Sequence, residues 1–329
     1  MFRRIAYSYD RKHIVRSLQR QARIAHANIE FDNYRPFQFS SITQGEKFFA
    51  PILPAEPLSI DGNRLVFQSD ITTESTLNNT FECVITDSGS KDHVIIVFHH
   101  WYARNRYQNF SKYFARRGVT VVEATLPYHF SRSSSDYSEE NFLNANIGRT
   151  VQSMRQAVLD GRKIVRWLGN QGYRQITVVG MCIGGTVAGL IAAHEKQVKK
   201  AVLMVSPAGP ADLAWSAETM RSLRGRIEPF MSLEDLRKAW GIIDLNKHLW
   251  NLTRPGLETM FILGEDDTIA RPEELDRVIE HLRTCGCEPN VVRLNCGHSS
   301  VGVFPYNIKA ARRVLKFTKS SLSLREFVK

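Results

Sequence analysis

The chemistry in this 329-residue chain centres on the run Gly180-Met181-Cys182-Ile183-Gly184-Gly185. An apolar stretch, residues 176–179, leads into it, and small apolar residues, 186–193, follow it, so the pattern predicts strand, tight turn, helix. The spacing is that of the G-x-S-x-G nucleophile turn, with Cys where Ser usually stands. A residue pinned on so sharp a turn takes strained backbone angles, and glycines beside it let other backbone approach closely. Cys182 is therefore expected at the C-terminal edge of a sheet, at the positive end of a helix, where thiolate is favoured over thiol. The same turn aims the backbone N–H of Ile183 at a reacting carbonyl oxygen, half of an oxyanion hole. The competing reading is a structural cysteine beside a Gly-rich turn that binds a phosphate.

The segment from Val179 to Gly185 is similar to the G-x-C-x-G-G elbow of dienelactone hydrolases, and also to the lipase-like box of polyhydroxyalkanoate synthases. Over roughly residues 90 to 320 the chain resembles an α/β-hydrolase. That resemblance implies the chain order nucleophile, acid, His, with each partner following a strand. After residues 259–263 comes Gly264-Glu265-Asp266-Asp267, which resembles the family's G-x-x-D turn and implies Asp267 as the orienting carboxylate, with Asp266 and Glu265 as alternatives. After residues 291–294 comes Asn295-Cys296-Gly297-His298, similar to the family's Gly-His loop, which implies His298 as general base, held in its tautomer by Asp267. The second oxyanion donor is expected in the turn after residues 94–98, where hydrolases often carry His-Gly. Here the turn reads His99-His100-Trp101-Tyr102, so the implied donor is the Trp101 N–H, with His100 in the Gly place. His100, Tyr102, Arg104, Arg106 and His129 are expected to ring the mouth with aromatic and positive groups, suiting an acyl substrate that bears a carboxylate or phosphate.

The elements that would position these residues are legible as alternating patterns. Short Val- and Ile-rich runs at 94–98, 119–123, 176–179, 201–205, 259–263 and 291–294 alternate with helix-period segments such as 149–168 and 272–282. Continuous apolar strands imply burial on both faces, hence an α/β fold with a mostly parallel central sheet flanked by helices. Residues 64–68 and 80–86 add two earlier strands, the first preceded by the turn signal Ile60-Asp61-Gly62-Asn63. The expected organisation is a hydrolase core over 61–207 and 256–329, with a helical cap over 208–255 inserted after the sixth strand. Residues 1–60 would form a basic amphipathic helix over 11–30, with Ile14, Leu18, Ala22, Ala25 and Ile29 as its apolar stripe, then a wrapping connector.

Composition narrows the function classes. Hydrophobic residues at 43% and charged residues at 23% exclude a disordered or collagenous chain. The net charge is 44 − 33 = +11, and the first 36 residues hold eight Lys/Arg against three acids, +5 of that total. A basic helix of this kind fits peripheral contact with a membrane surface or a partner, while nothing in the charge pattern calls for nucleic acid. Five cysteines, an odd number in a chain this long, point to a reducing compartment, read as the cytoplasm. The group Cys285, Cys287, Cys296 and His298 has spacing unsuited to zinc, and with no dinucleotide or phosphate-loop fingerprint no metal or cofactor is expected. Three activities fit: an ester, thioester or lactone hydrolase working through an acyl-cysteine, an acyltransferase, or an inactive binding module on the same fold.

Overall fold

The computed structural model describes residues 2–24, 45–134 and 138–322. A long helix, α1 (Phe2–Ile24), comes first. A hairpin of β1 (Ser59–Asp61) and β2 (Arg64–Gln68) leads to β3 (Thr80–Thr86) and β4 (His93–Phe98). Then follow α2 (Gln108–Ala115), β5 (Thr120–Ala124), α3 (Ile147–Asn170), β6 (Gln175–Met181), α4 (Ile183–His194) and β7 (Val198–Met204). Four short helices, α5 (Pro210–Ser216), α6 (Arg221–Ile227), α7 (Leu233–Ala239) and α8 (Leu249–Leu252), separate β7 from β8 (Glu258–Gly264). The chain closes with α9 (Pro272–Thr284), β9 (Asn290–Leu294) and α10 (Tyr306–Lys319).

The nine strands form one sheet in the order β1-β2-β3-β5-β4-β6-β7-β8-β9. The pairings among β1, β2, β3 and β5 are antiparallel, and those from β5 through β9 are parallel. The apolar runs are continuous because alternate residues serve two cores. In β4, Val94, Ile96 and Phe98 pack with α3 and α4, while Ile95 and Val97 pack with Phe114 of α2 and Val314 and Phe317 of α10. β7 and β8 divide in the same way: Leu203 and Phe261 face the first core, Val202 and Ile262 the second. The chain order reverses around β4, whose neighbours are β5 and β6, and α/β sheets open a crevice for ligands at such a switch point.

Three expectations change. The N-terminal helix runs over Phe2–Ile24 rather than 11–30, and residues 25–30 lie outside the described residues. Of the expected apolar stripe, Ile14 and Leu18 are half-buried, as are Asp10, His13 and Ser17, and Ala22, Ala25 and Ile29 fall among residues whose side chains are not described; Ala6 is buried. The connector is also more than a wrap: a 3-10 turn, Gly45–Phe49, sends Phe48 and Phe49 fully into the core. Finally, the helical insertion follows the seventh strand rather than the sixth, because the exposed three-residue β1 adds one to the count.

The insertion is fastened to the core by apolar burial. Leu236, Trp240, Ile243 and Leu245 join the core of α3 and α4, and the fully buried Trp240 donates its Nε1–H to the carbonyl of Ile147, the first residue of α3 (3.1 Å). Replacing Trp240 with Ala removes a large buried side chain and leaves that carbonyl unpaired, so stability should fall by about 3–5 kcal/mol. Urea denaturation checks this, and a loss below about 1 kcal/mol, the range of surface substitutions, would show that Trp240 is not the anchor.

Candidate active site

β6 ends directly in the elbow. Cys182 sits at φ 55°, ψ −131°, a left-handed backbone conformation that costs a non-glycine residue about 1–3 kcal/mol. Surrounding bonds hold it there: the Cys182 N–H donates to the Met204 carbonyl (3.0 Å), and the Gly185 N–H to the Cys182 carbonyl (2.8 Å). A Cβ on Gly180 would lie 2.0 Å from the Gly184 carbonyl oxygen, and one on Gly184 would lie 2.4 Å from the His99 carbonyl oxygen. Glycine is thus required at both positions by close backbone approach. The same approach presses the first turn of α4 against the loop that leaves β4, so the elbow and that loop form one surface.

Asp267 and His298 reach this surface from the ends of β8 and β9. Asp267 is fixed by its own turn: Oδ1 accepts the N–H groups of Ile269 (2.8 Å) and Ala270 (3.0 Å). Its Oδ2 is 2.8 Å from His298 Nδ1. Cys182 lies near the ring and, with Asp267, acts to raise its pKa. Burial opposes the protonated ring, but the Asp267 carboxylate and Cys182 outweigh it and hold the His298 pKa well above 6.5. Cys182 and His298 are each 8% exposed and Asp267 5%, so the group is nearly closed to water. Of the alternative acids, Asp266 is taken by Arg3, whose Nη2 and Nε lie 2.6 and 2.9 Å away, and Glu265 is exposed.

The loop after β4 supplies a candidate oxyanion donor. The N–H groups of His100, Tyr102 and Ala103 are engaged with Tyr107 Oη, His129 Nε2 and the His100 carbonyl. Among the described residues the Trp101 N–H has no acceptor. The Ile183 N–H belongs to the first turn of α4, whose donors have no partner within the helix. The Trp101 indole is anchored, donating Nε1–H to the Glu139 carbonyl (2.8 Å). His100 lies beside the group as a neutral ring: burial, with the charges of His298 and His13, holds its pKa down to about 4, and Nδ1 is 2.5 Å from Tyr107 Oη.

The expected ring of mouth residues is reached only in part. Tyr102 stacks on Trp101 and lies under the Arg20 guanidinium (4.2 Å), and Arg104 pairs with Glu139 (3.2 Å). Two members of the expected set have structural partners. Arg106 lines a cavity beside the elbow and is also bound to Glu82 Oε1 (2.6 Å) and Thr125 Oγ1 (2.9 Å). His129 is fully buried, held down to about 3 by burial, and its two nitrogens meet the Pro127 carbonyl and the Tyr102 N–H. A strand-end His looks available in sequence, but this one braces the oxyanion loop from behind. A cavity of ≈ 680 Å³ opens beside the elbow, lined by Gly180, Met181, Tyr107, Phe110 and Phe130.

The sequence reading missed Tyr107 and the inward side chains of α1. Arg20 pairs with Glu139 (3.1 Å), and α1 packs on the 3-10 turn Ser300–Gly302 and on α6. No local pattern announces these contacts, which join the first helix to segments more than a hundred residues away.

The profile of the Dienelactone hydrolase family matches residues 82–216, a span that contains the elbow and ends before Asp267 and His298. A Yersinia pestis protein described as "Putative carboxymethylenebutenolidase" is 30% identical over 111 residues, 33% of this chain and 41% of that protein. The match therefore spans well under half of that relative. An acetyl xylan esterase from Paenibacillus sp. R4 superposes with a TM-score of 0.61 at 13% identity, over 90% of this chain and 99% of that one. A puromycin-hydrolyzing peptidase from Mycobacterium tuberculosis gives 0.60 at 13% identity, over 79% of this chain and 40% of that one. The fold is that of the α/β-hydrolases.

The ring of His298 is an imidazolium below its raised pKa and neutral above it. Asp267→Asn removes the carboxylate that holds the imidazolium, so that pKa should fall. Iodoacetamide alkylation of Cys182 against pH follows the change, because a neutral ring offers the sulfur no positive charge, and at pH 7 the variant should react about tenfold slower or worse. An unchanged profile would mean that Asp267 does not set the state of His298.

Proposed function

We propose that the chain hydrolyses a carboxylic ester, thioester or lactone of a small acyl compound through an acyl-cysteine intermediate. One observation carries the reading: a buried imidazole bound to a carboxylate lies beside a cysteine that stands on a strained strand-to-helix turn. In this account the Cys182 thiolate attacks the carbonyl carbon, and the oxygen, now negative, is held by the N–H groups of Ile183 and Trp101. Collapse expels the alcohol or thiol leaving group, which takes the proton of the His298 imidazolium. His298, neutral again, removes a proton from water, the hydroxide attacks the acyl-cysteine, and the carboxylic acid product leaves as the thiolate and imidazolium reform. Asp267 stays ionised throughout and keeps Nδ1–H in place.

The match to the dienelactone hydrolase profile and the resemblance to an esterase support ester-type substrates. Arg20 and Arg104 beside Tyr102 and Trp101 support an acyl group carrying negative charge. The five cysteines are free, which suits a reducing compartment such as the cytoplasm, where a nucleophilic thiol stays reduced. Among the described residues no helix is long and apolar enough to cross a membrane.

Intact-mass spectrometry with a panel of activated acyl esters tests the proposal. Wild-type protein should gain one acyl mass, mapped to Cys182, that decays in water; Cys182→Ala should gain none and lose turnover by about a thousandfold or more. An adduct on another residue, or neither adduct nor turnover with any ester, contradicts it. Decay that requires an added alcohol would shift the assignment to acyl transfer.

A further inference from the structure

The loop that carries His298 is held by a residue from the opposite end of the chain. Asp10, in the middle of α1, accepts the N–H groups of Ser299 (2.7 Å) and Ser300 (2.9 Å) through Oδ1, and the Ser300 hydroxyl (2.5 Å) through Oδ2. That hydroxyl in turn accepts the Gly297 N–H (2.9 Å), so the residues on both sides of His298 are tied to one carboxylate. The fit is close: a Cβ on Gly297 would lie 2.5 Å from Asp10 Oδ2. Gly297 is not among the residues with positive φ, so glycine there serves the approach of Asp10 rather than an unusual backbone angle. The helix that delivers Asp10 is itself latched on either side of the site, by Arg3 on Asp266 and by Arg20 on Glu139 and the Tyr102 ring.

We infer that Asp10 is a positioning residue for His298, and that α1 is a strap whose seating sets the histidine loop against Cys182. The inference rests on the reading above, in which His298 activates Cys182. Asp267 fixes one ring nitrogen, which leaves the loop backbone free to swing about that contact; three hydrogen bonds to the half-buried Asp10 carboxylate remove the freedom. Charge-assisted bonds of this kind are about twice as strong as neutral ones, and a misplacement of about 1 Å at a reacting group costs on the order of a hundredfold in rate. The strap acts through geometry, since Asp10 is not among the groups that set the His298 pKa.

The test is the pH profile of Cys182 alkylation by iodoacetamide in the full-length protein, for wild type, His298→Ala, Asp10→Ala and Asp10→Asn, with thermal unfolding to confirm that each is folded. The midpoint reports whether the imidazole reaches the sulfur, and the high-pH plateau, where the thiolate forms unaided, reports access past α1. Asp10→Ala should move the midpoint toward that of His298→Ala, with an equal or higher plateau. Asp10→Asn, which keeps one acceptor and loses the other, should fall between. In ester turnover kcat should drop about 10- to 100-fold with a smaller change in KM. A shifted His298→Ala profile beside an Asp10→Ala profile that overlays wild type overturns this inference alone. If His298→Ala itself overlays wild type, the inference and the activity proposed above both fail.

Discussion

The site depends on one buried imidazole held by a carboxylate and lying beside the Cys182 sulfur. Burial alone would drive His298 to the neutral form; the Asp267 carboxylate and the Cys182 sulfur reverse that and keep it protonated. The arrangement is stable only because each partner is itself immobile. Asp267 is tied to its turn by two backbone N–H groups, Cys182 to β7 through the Met204 carbonyl, and the histidine loop to Asp10. Loss of any one tether lets a charged group relax away from the others, and the low dielectric that strengthens the contacts makes an unpaired member costly.

The sheet brings these tethers together. Loops from the C-terminal ends of β4, β6, β8 and β9 meet on one edge, where the order of connections reverses and leaves a crevice. Within it the requirement for glycine at 180 and 184 is a packing requirement: the helix that follows Cys182 starts against the backbone of the loop after β4, so the two share one surface. The helical insertion is fixed to α3 through Trp240, and α1 is fixed beside the site through polar latches.

How much of this could be read from sequence follows from how local each signal is. The elbow is contiguous, so strand, glycines and cysteine appear together, and the acidic turn and the Gly-His pair each follow a recognisable apolar run. Which of Glu265, Asp266 and Asp267 faces the histidine was settled only by the turn geometry and by Arg3, which captures Asp266. His129 looks like a mouth residue because polarity after a strand suggests exposure; its partner, the Tyr102 N–H, lies on another segment and leaves no pattern, as does Glu82, the partner of Arg106. The N-terminal helix is readable as a helix but its polar latches are not, because periodicity detects apolar stripes and gives no sign of the partners of Arg3, Asp10 and Arg20. β1 escaped because three exposed residues carry no burial pattern.

The charge state of His298 is the most direct test of the whole account. Proton-coupled 15N NMR of histidine-labelled protein, assigned with His298→Gln, should find the titration midpoint of the ring raised above the ordinary 6.5, and Cys182→Ala should lower it. A His298 ring that is neutral by pH 6.5, with a midpoint indifferent to the loss of Cys182, would contradict it.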